Sequence, residues 1–162
     1  MKILLLLRHA KSSWKEDSLP DQERPLAKRG LRDAPRMGVV LREENLMPDL
    51  ILSSTARRAR QTTELVVDAA GYPGEVSWLD ELYAAAPEDI LDILNALPAG
   101  YTCVMVVGHN PGLDELLALL TDEADTLTTA ALAQIDLPVD GWDQVGEETQ
   151  GKLVNIWRPK EL

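Results

Sequence analysis

Lys2-Ile3-Leu4-Leu5-Leu6-Leu7-Arg8-His9 is an unbroken apolar run that ends on a cation and an imidazole. A strand solvated on one face alternates polar and apolar side chains. A run without alternation is the pattern of a strand buried on both faces, as in a parallel sheet covered by helices. Residues 2–7 are read as such a strand, with Arg8 and His9 where it passes into a loop. A second run, Thr102-Cys103-Val104-Met105-Val106-Val107-Gly108, leads in the same way to His109, followed by Asn110-Pro111. These are the only 2 histidines of the 162-residue chain. In an open α/β sheet the carboxyl ends of parallel strands form the ligand crevice. Either histidine alone reads as an ordinary loop residue; the pair, with an arginine, points to a nucleophile, a partner and an anion clamp.

Outward from these runs, strands alternate with helices. Residues 8–25 read as a loop of functional length. A helical pattern from about Leu26 to Glu44 places Leu31, Ala34, Gly38 and Leu41 inward, with a kink expected at Pro35. Leu50–Leu52 is a short strand, 55–70 a helix stopped by Gly71, and Val76–Leu79 a third strand. Pro87 opens a helix with Ile90, Leu91, Ile93, Leu94 and Leu97 inward. Asn110 as cap and Pro111 as first residue open another, to about Leu120. Ala130–Leu137 and Leu153–Trp157 are late strands, joined by what reads as an exposed acidic turn. The expected fold is an α/β three-layer sandwich with a mostly parallel central sheet, one domain over residues 1–162.

Apolar content of 45% and charged content of 27% are ordinary for a globular chain. The net charge of −11 argues against nucleic acid or an anionic membrane as partner. Any anion site must then be a local positive spot. Cys103 is the single cysteine, lies in a strand and reads as core; with no secretory signal and no span-length apolar run, a cytoplasmic location is expected.

The stretch Ser53-Ser54-Thr55-Ala56-Arg57-Arg58-Ala59-Arg60-Gln61-Thr62 carries three arginines. Helical phase separates them. Arg58 lies four residues before Thr62, on the inward stripe with Leu65, Val66 and Ala69, whereas Arg57 and Arg60 stand about 100° and 200° away. A buried arginine in a first turn needs an anion: a structural carboxylate, with Glu81 the visible one, or a bound phosphate. Arg8, His9, Arg58 and His109 together suit a dianionic phosphoryl group, since charge stabilisation and positioning are most of what phosphoryl transfer requires. No nucleotide-triphosphate loop and no metal-ligand cluster is present, so neither metal nor cofactor is expected.

Leu7-Arg8-His9-Ala10-Lys11-Ser12-Ser13-Trp14 resembles the Arg-His-Gly signature of the histidine phosphatase (phosphoglycerate-mutase-like) superfamily. Arg24-Pro25-Leu26 with Gly30, then Ser53-Ser54 with Arg58-Ala59-Arg60-Gln61-Thr62, then Val107-Gly108-His109-Asn110-Pro111 resemble its later motifs, in order. The Arg-His-Ala-Lys-Ser start is most similar to the small SixA-type phosphohistidine phosphatases.

The resemblance implies a phosphoglycerate-mutase-like fold without large lid insertions, in which His9 attacks phosphorus and Arg8, Arg58 and His109 hold the oxygens. It implies Glu81, with Asp80 beside it, as proton donor; Glu81 as a partner of Arg58 is the alternative. Ser12, Lys15 and Asn110 are candidate substrate contacts, Ser12 equally a turn hydroxyl. Ala10 replaces the usual glycine, and Lys15 an asparagine common in the mutases. Trp14 and Trp157 read as packing aromatics before rim residues. Beyond Leu79-Asp80-Glu81-Leu82 only the four residues Tyr83 to Ala86 remain before Pro87, so an unroofed pocket is expected. It would admit a phosphohistidine-bearing protein; a small phosphorylated metabolite is the alternative substrate, and a non-catalytic phosphate binder the third reading.

Overall fold

Leu4 and Leu6 face one side of their strand, Leu5 and Leu7 the other, and all four are fully buried. That is why the run shows no alternation: helices cover both faces. The computed structural model describes residues 1–162. The leucine strand, β1 (Lys2–Arg8), lies inside one sheet with β2 (Leu50–Ser54), β3 (Glu75–Leu79), β4 (Cys103–Gly108), β5 (Leu132–Leu137) and β6 (Lys152–Trp157). The strand order is β3-β2-β4-β1-β5-β6. Pairing is parallel from β3 through β1, and β5 runs antiparallel to both its neighbours. The sheet is thus mostly parallel, as expected, with β5 the only reversed strand.

Four helices complete the three layers: α1 (Lys28–Glu43), α2 (Arg57–Ala70), α3 (Pro87–Asn95) and α4 (Gly112–Thr121). Residues of α1 and α2 pack with Leu5, Leu7, Ile51, Met105 and Val107 on one face. Residues of α3 and α4 pack with Leu4, Leu6, Leu52, Val104 and Val106 on the other. Gly71 ends α2 with a left-handed φ of 68°, the stop read from sequence. No helix is long and apolar enough to cross a membrane.

Three expectations are corrected. The inward face of α1 carries Gly30, Asp33, Ala34, Met37, Gly38 and Leu41, whereas Leu31 is 49% exposed. The reason is close packing: a Cβ at Gly38 would collide with the Val66 carbonyl of α2, so small residues face inward. The helix continues through Pro35, which cannot donate to the carbonyl of exposed Leu31. Secondly, α4 begins at Gly112 with Pro111 as its cap residue, one position later than expected. Finally, the stretch between β5 and β6 is no simple exposed turn. Trp142 within it is fully buried, its indole N–H donating to the Tyr101 carbonyl at 2.8 Å. The Asn95 amide ties down the Trp142 and Val145 carbonyls.

Candidate active site

The parallel register brings the two histidines together. Arg8 of β1 stands opposite Gly108 of β4, so His9 and His109 leave neighbouring strands at the same level. The His9 N–H donates to the Gly108 carbonyl at 3.1 Å, and the two ring centroids are 5.1 Å apart. On the far side of β4, β2 ends at Ser54 and feeds α2, whose first turn carries Arg58. All four residues singled out by the sequence therefore meet at the carboxyl ends of three adjacent strands.

His9 is 8% exposed. Its Nδ1 lies 2.8 Å from the Ala10 carbonyl oxygen, which can only accept, so Nδ1 carries the proton and Nε2 keeps the free lone pair. Burial pushes its pKa down to about 3, opposed by that hydrogen bond and reinforced by His109, Arg58 and Arg8. Burial, Arg58 and Arg8 likewise push His109 down to about 4. Both imidazoles are thus neutral at ordinary pH. His109 Nε2 lies 2.8 Å from Ser54 Oγ, which also accepts the Ala56 N–H.

Two buried polar atoms here have no partner: Arg8 Nε and His109 Nδ1. Such groups are rare because each forfeits its hydration for nothing. Arg8 is otherwise fixed by Nη1 donating to the Leu127 carbonyl at 3.0 Å, and burial lowers its pKa.

Arg58 is buried as helical phase predicted, while Arg57 and Arg60 are exposed. Its partner corrects the expectation. Arg58 Nη2 meets the Asp21 carboxylate at 3.0 Å and Nη1 donates to the Asp21 carbonyl at 2.7 Å. The same carboxylate takes Arg24 Nη1 at 2.9 Å and the Tyr83 hydroxyl at 2.5 Å. The Tyr83 hydroxyl, followed by Arg24 and Arg58, holds the Asp21 carboxyl well below the usual carboxylate range. Tyr83 also sets its ring edge-on to His109, centroids 5.5 Å apart. Glu81 is exposed and shares no hydrogen bond or ion pair with this cluster; Asp80 accepts from Thr55 Oγ1 at 2.5 Å.

The remaining expected contacts are placed as follows. Ser12 is buried and its Oγ accepts Arg24 Nη2 at 2.5 Å. The Lys15 side chain is exposed and has no partner. Asn110 accepts the Asp114 N–H and donates to the Leu127 carbonyl, so it braces the α4 entry and the loop that holds Arg8. Trp14 is no packing residue: it is 68% exposed and lies over the Arg24 guanidinium, 3.2 Å from it. Trp157 does pack on the core. Cys103 is buried, its thiol pushed up to about 12 by burial and Asp49.

Missed by sequence reasoning were Asp21, Tyr83 and Ser54. Asp21 and Tyr83 are polar loop residues without periodicity; only Ser54 lay inside a recognised motif. Thr62, on the inward stripe of α2, also braces the site: its hydroxyl donates to the Arg58 carbonyl and accepts the Ala10 N–H. This joins the loop after His9 to α2. Beside His109, an open cavity of ≈ 270 Å³ lies against Ala84–Ala86 and Asn110–Gly112. The arrangement offers a neutral imidazole lone pair, two fixed guanidinia and a second imidazole, a set suited to binding and attacking a phosphoryl group.

Residues 4–86 match the model of the histidine phosphatase superfamily (branch 1), and the chain belongs to that superfamily. With this site, that membership defines a phosphatase. Its structural likeness within the superfamily is to the SixA type. A provisionally assigned phosphohistidine phosphatase SixA from Agrobacterium tumefaciens is 30% identical with a TM-score of 0.84, covering 98% of both chains. A protein histidine phosphatase SixA complexed with tungstate is 25% identical, also with a TM-score of 0.84 and 98% of each chain covered. An uncharacterised protein of Mycobacterium tuberculosis is 37% identical over 128 residues, which are 79% of this chain and 77% of that one. The α/β sandwich without large insertions agrees with the expectation from sequence.

Proposed function

We propose that this phosphatase hydrolyses phosphohistidine on a protein, through a covalent phosphohistidine intermediate at His9. The observation that carries the reading is the pair of buried, unpartnered polar atoms, Arg8 Nε and His109 Nδ1, beside an imidazole whose Nε2 is free. Phosphoryl oxygens would satisfy both. The His9 Nε2 lone pair forms a bond to phosphorus while the phosphorus–nitrogen bond of the substrate breaks, and the departing imidazole nitrogen takes up a proton. Water then attacks phospho-His9, returns the histidine and releases inorganic phosphate. Arg8, Arg58 and His109 stabilise the equatorial oxygens in both steps.

A protein substrate is favoured by the short link Tyr83–Ala86, which leaves the cavity beside His109 open to the exterior, with Ala84 and Ala86 exposed. A presented side chain can reach such a site, whereas a small ester would be little enclosed. The leaving group agrees: an imidazole departs more easily than an alkoxide and demands less of an acid. That fits a cluster to which neither Glu81 nor Asp80 is bonded. The SixA-type neighbours support the same substrate class.

The test is phosphate release from a histidine-phosphorylated carrier protein, run beside an aryl phosphate. Fast release from the carrier and slow aryl hydrolysis are expected. Preference for the aryl ester would move the function to a small-molecule phosphomonoesterase.

A further inference from the structure

The chain is strongly acidic, with a net charge of −11, yet one groove away from the histidines is basic. It lies between the exposed face of α1, the Thr128–Thr129 turn and the segment after β6, with a volume of ≈ 590 Å³ and no hydrophobic lining. Arg29, Arg32, Arg36, Arg158 and Lys160 line it, against the carboxylates of Asp33 and Glu161. Neutralisation is incomplete. Buried Asp33 is shared by Arg32 Nε at 3.1 Å and Arg36 Nη1 at 3.6 Å. Arg158 is matched by Asp125 at 2.9 Å and Glu161 at 3.8 Å. Arg29 and Lys160 have no carboxylate partner, and Arg29 reaches only Thr129 Oγ1 at 3.4 Å.

A second observation agrees. The first turn of α1 holds Lys28 and Arg29 and no acidic residue. Cations at a helix N-terminus oppose the macrodipole, so this placement costs local stability while adding to the positive potential of the groove. The groove also shares a wall with the site. Leu127, just before the Thr128–Thr129 turn, accepts from Arg8 Nη1, and Ala130, just after it, donates its N–H to the Arg8 and His9 carbonyls. Whatever rests in the groove lies one loop away from His9.

We infer that this groove docks an acidic segment of the protein that presents the phosphohistidine, an inference that rests on the substrate reading above. An extended run of carboxylates suits it better than a compact phosphate. Arg29, Arg32 and Arg36 follow one another at i, i+3 and i+7, a stripe about 10 Å long, and do not converge on a point. Asp33 within the stripe repels a dense charge while leaving the outer guanidinium edges to separate carboxylates. In an acidic protein such a stripe also orients an acidic partner during encounter.

The experiment uses a fluorescein-labelled decapeptide of alternating Glu and Ser, titrated with the full chain and followed by anisotropy. Binding is expected to weaken at least tenfold in the double variant Arg29→Glu, Arg32→Glu and at high salt. The same variant should raise KM for a histidine-phosphorylated carrier at least tenfold, with kcat and the turnover of free phosphoimidazole unchanged. Equal peptide binding by both proteins would overturn the inference. So would displacement of the peptide by inorganic phosphate at the peptide's own working concentration, which would make the groove a small-anion site. Groove-dependent peptide binding in a protein that turns over no phosphohistidine would support the docking surface and overturn the substrate reading instead, which separates the two failures.

Discussion

Arg24 and Arg58 are buried, Arg8 is half-buried, and each is tied to a particular acceptor, whereas Arg29 and Arg32 stand exposed on an open helix face with half-buried Arg36. Both clusters are positive spots on an acidic chain, but they are built for different work. A guanidinium taken out of water must be hydrogen-bonded in place, so its geometry is settled before a ligand arrives. The same low-dielectric surroundings depress the pKa of His9 and His109, keeping both imidazoles neutral and the His9 lone pair available. Exposed guanidinia keep their hydration and their rotamer freedom; they steer a partner without fixing any one of its atoms, and salt screens them. Burial of the donor nitrogens themselves, as at Arg8 Nε, rather than charge, therefore separates a candidate catalytic arginine from a docking one.

The largest expected effect divides chemistry from anion binding inside the buried cluster. His9→Ala should lower turnover by more than about 10⁴-fold, as loss of a nucleophile does, while calorimetry still detects inorganic phosphate held by the arginines. Loss of phosphate binding in that variant would mean that the imidazole, and not the guanidinia, holds the anion. Arg58→Ala should cost about 10²–10³-fold in kcat/KM on small and protein substrates alike, the usual effect of removing one oxyanion donor. A loss confined to the protein substrate would make Arg58 a docking residue and break the contrast.

Next is the response to pH. Both histidines have folded pKa values, about 3 and about 4, below the ordinary 6.5. Below about pH 6.5 the unfolded chain binds protons that the folded chain refuses, so stability falls as pH drops from there toward the folded values. Thermal melts should show Tm level between pH 8 and 7 and declining below 6.5, with a shallower decline in His9→Ala. An equal slope in both proteins would refute burial as the cause. In kcat/KM, no ordinary histidine limb is expected between pH 6 and 7.

A smaller change is expected at Asp21. Its carboxylate already occupies Arg58 Nη2, and if phosphate draws on the same guanidinium, Asp21→Asn should tighten inorganic phosphate binding about threefold to tenfold. Weaker binding would show that Asp21 instead holds Arg58 in position. Smallest of all is Glu81→Gln. With Glu81 exposed and unconnected to the cluster, phosphohistidine turnover should stay within about twofold, and a loss above about 10²-fold would restore Glu81 as the proton donor.

Legibility followed the range of the forces involved. The runs 2–7 and 102–107 were readable because burial on both faces leaves a local signature, and Arg58 because helical phase is local. That His9 and His109 meet was suggested by strand ends but settled by strand order: β4 lies between β1 and β2, which no local pattern reveals. Asp21 was missed because it reaches Arg58 across 37 positions from a polar loop, and Tyr83 because its partner is that same carboxylate. Leu31 misled for a different reason. Apolar periodicity favours the largest side chain, whereas the close approach of α1 to α2 selects Gly38, the Lys11 carbonyl leaves no room for a Cβ at Gly30, and glycine carries no hydrophobic signal. Trp142 was hidden among acidic residues whose solvation is real, although their neighbour is core.

The central claim is that His9 takes the phosphoryl group, and a rapid-quench experiment with a radiolabelled histidine-phosphorylated carrier tests it most directly. Quenched in alkali, where phosphohistidine survives, the protein should carry transient label on His9 at early times, decaying as inorganic phosphate appears. Phosphate release with no label on the protein at any time, or unchanged release by His9→Ala, would contradict it.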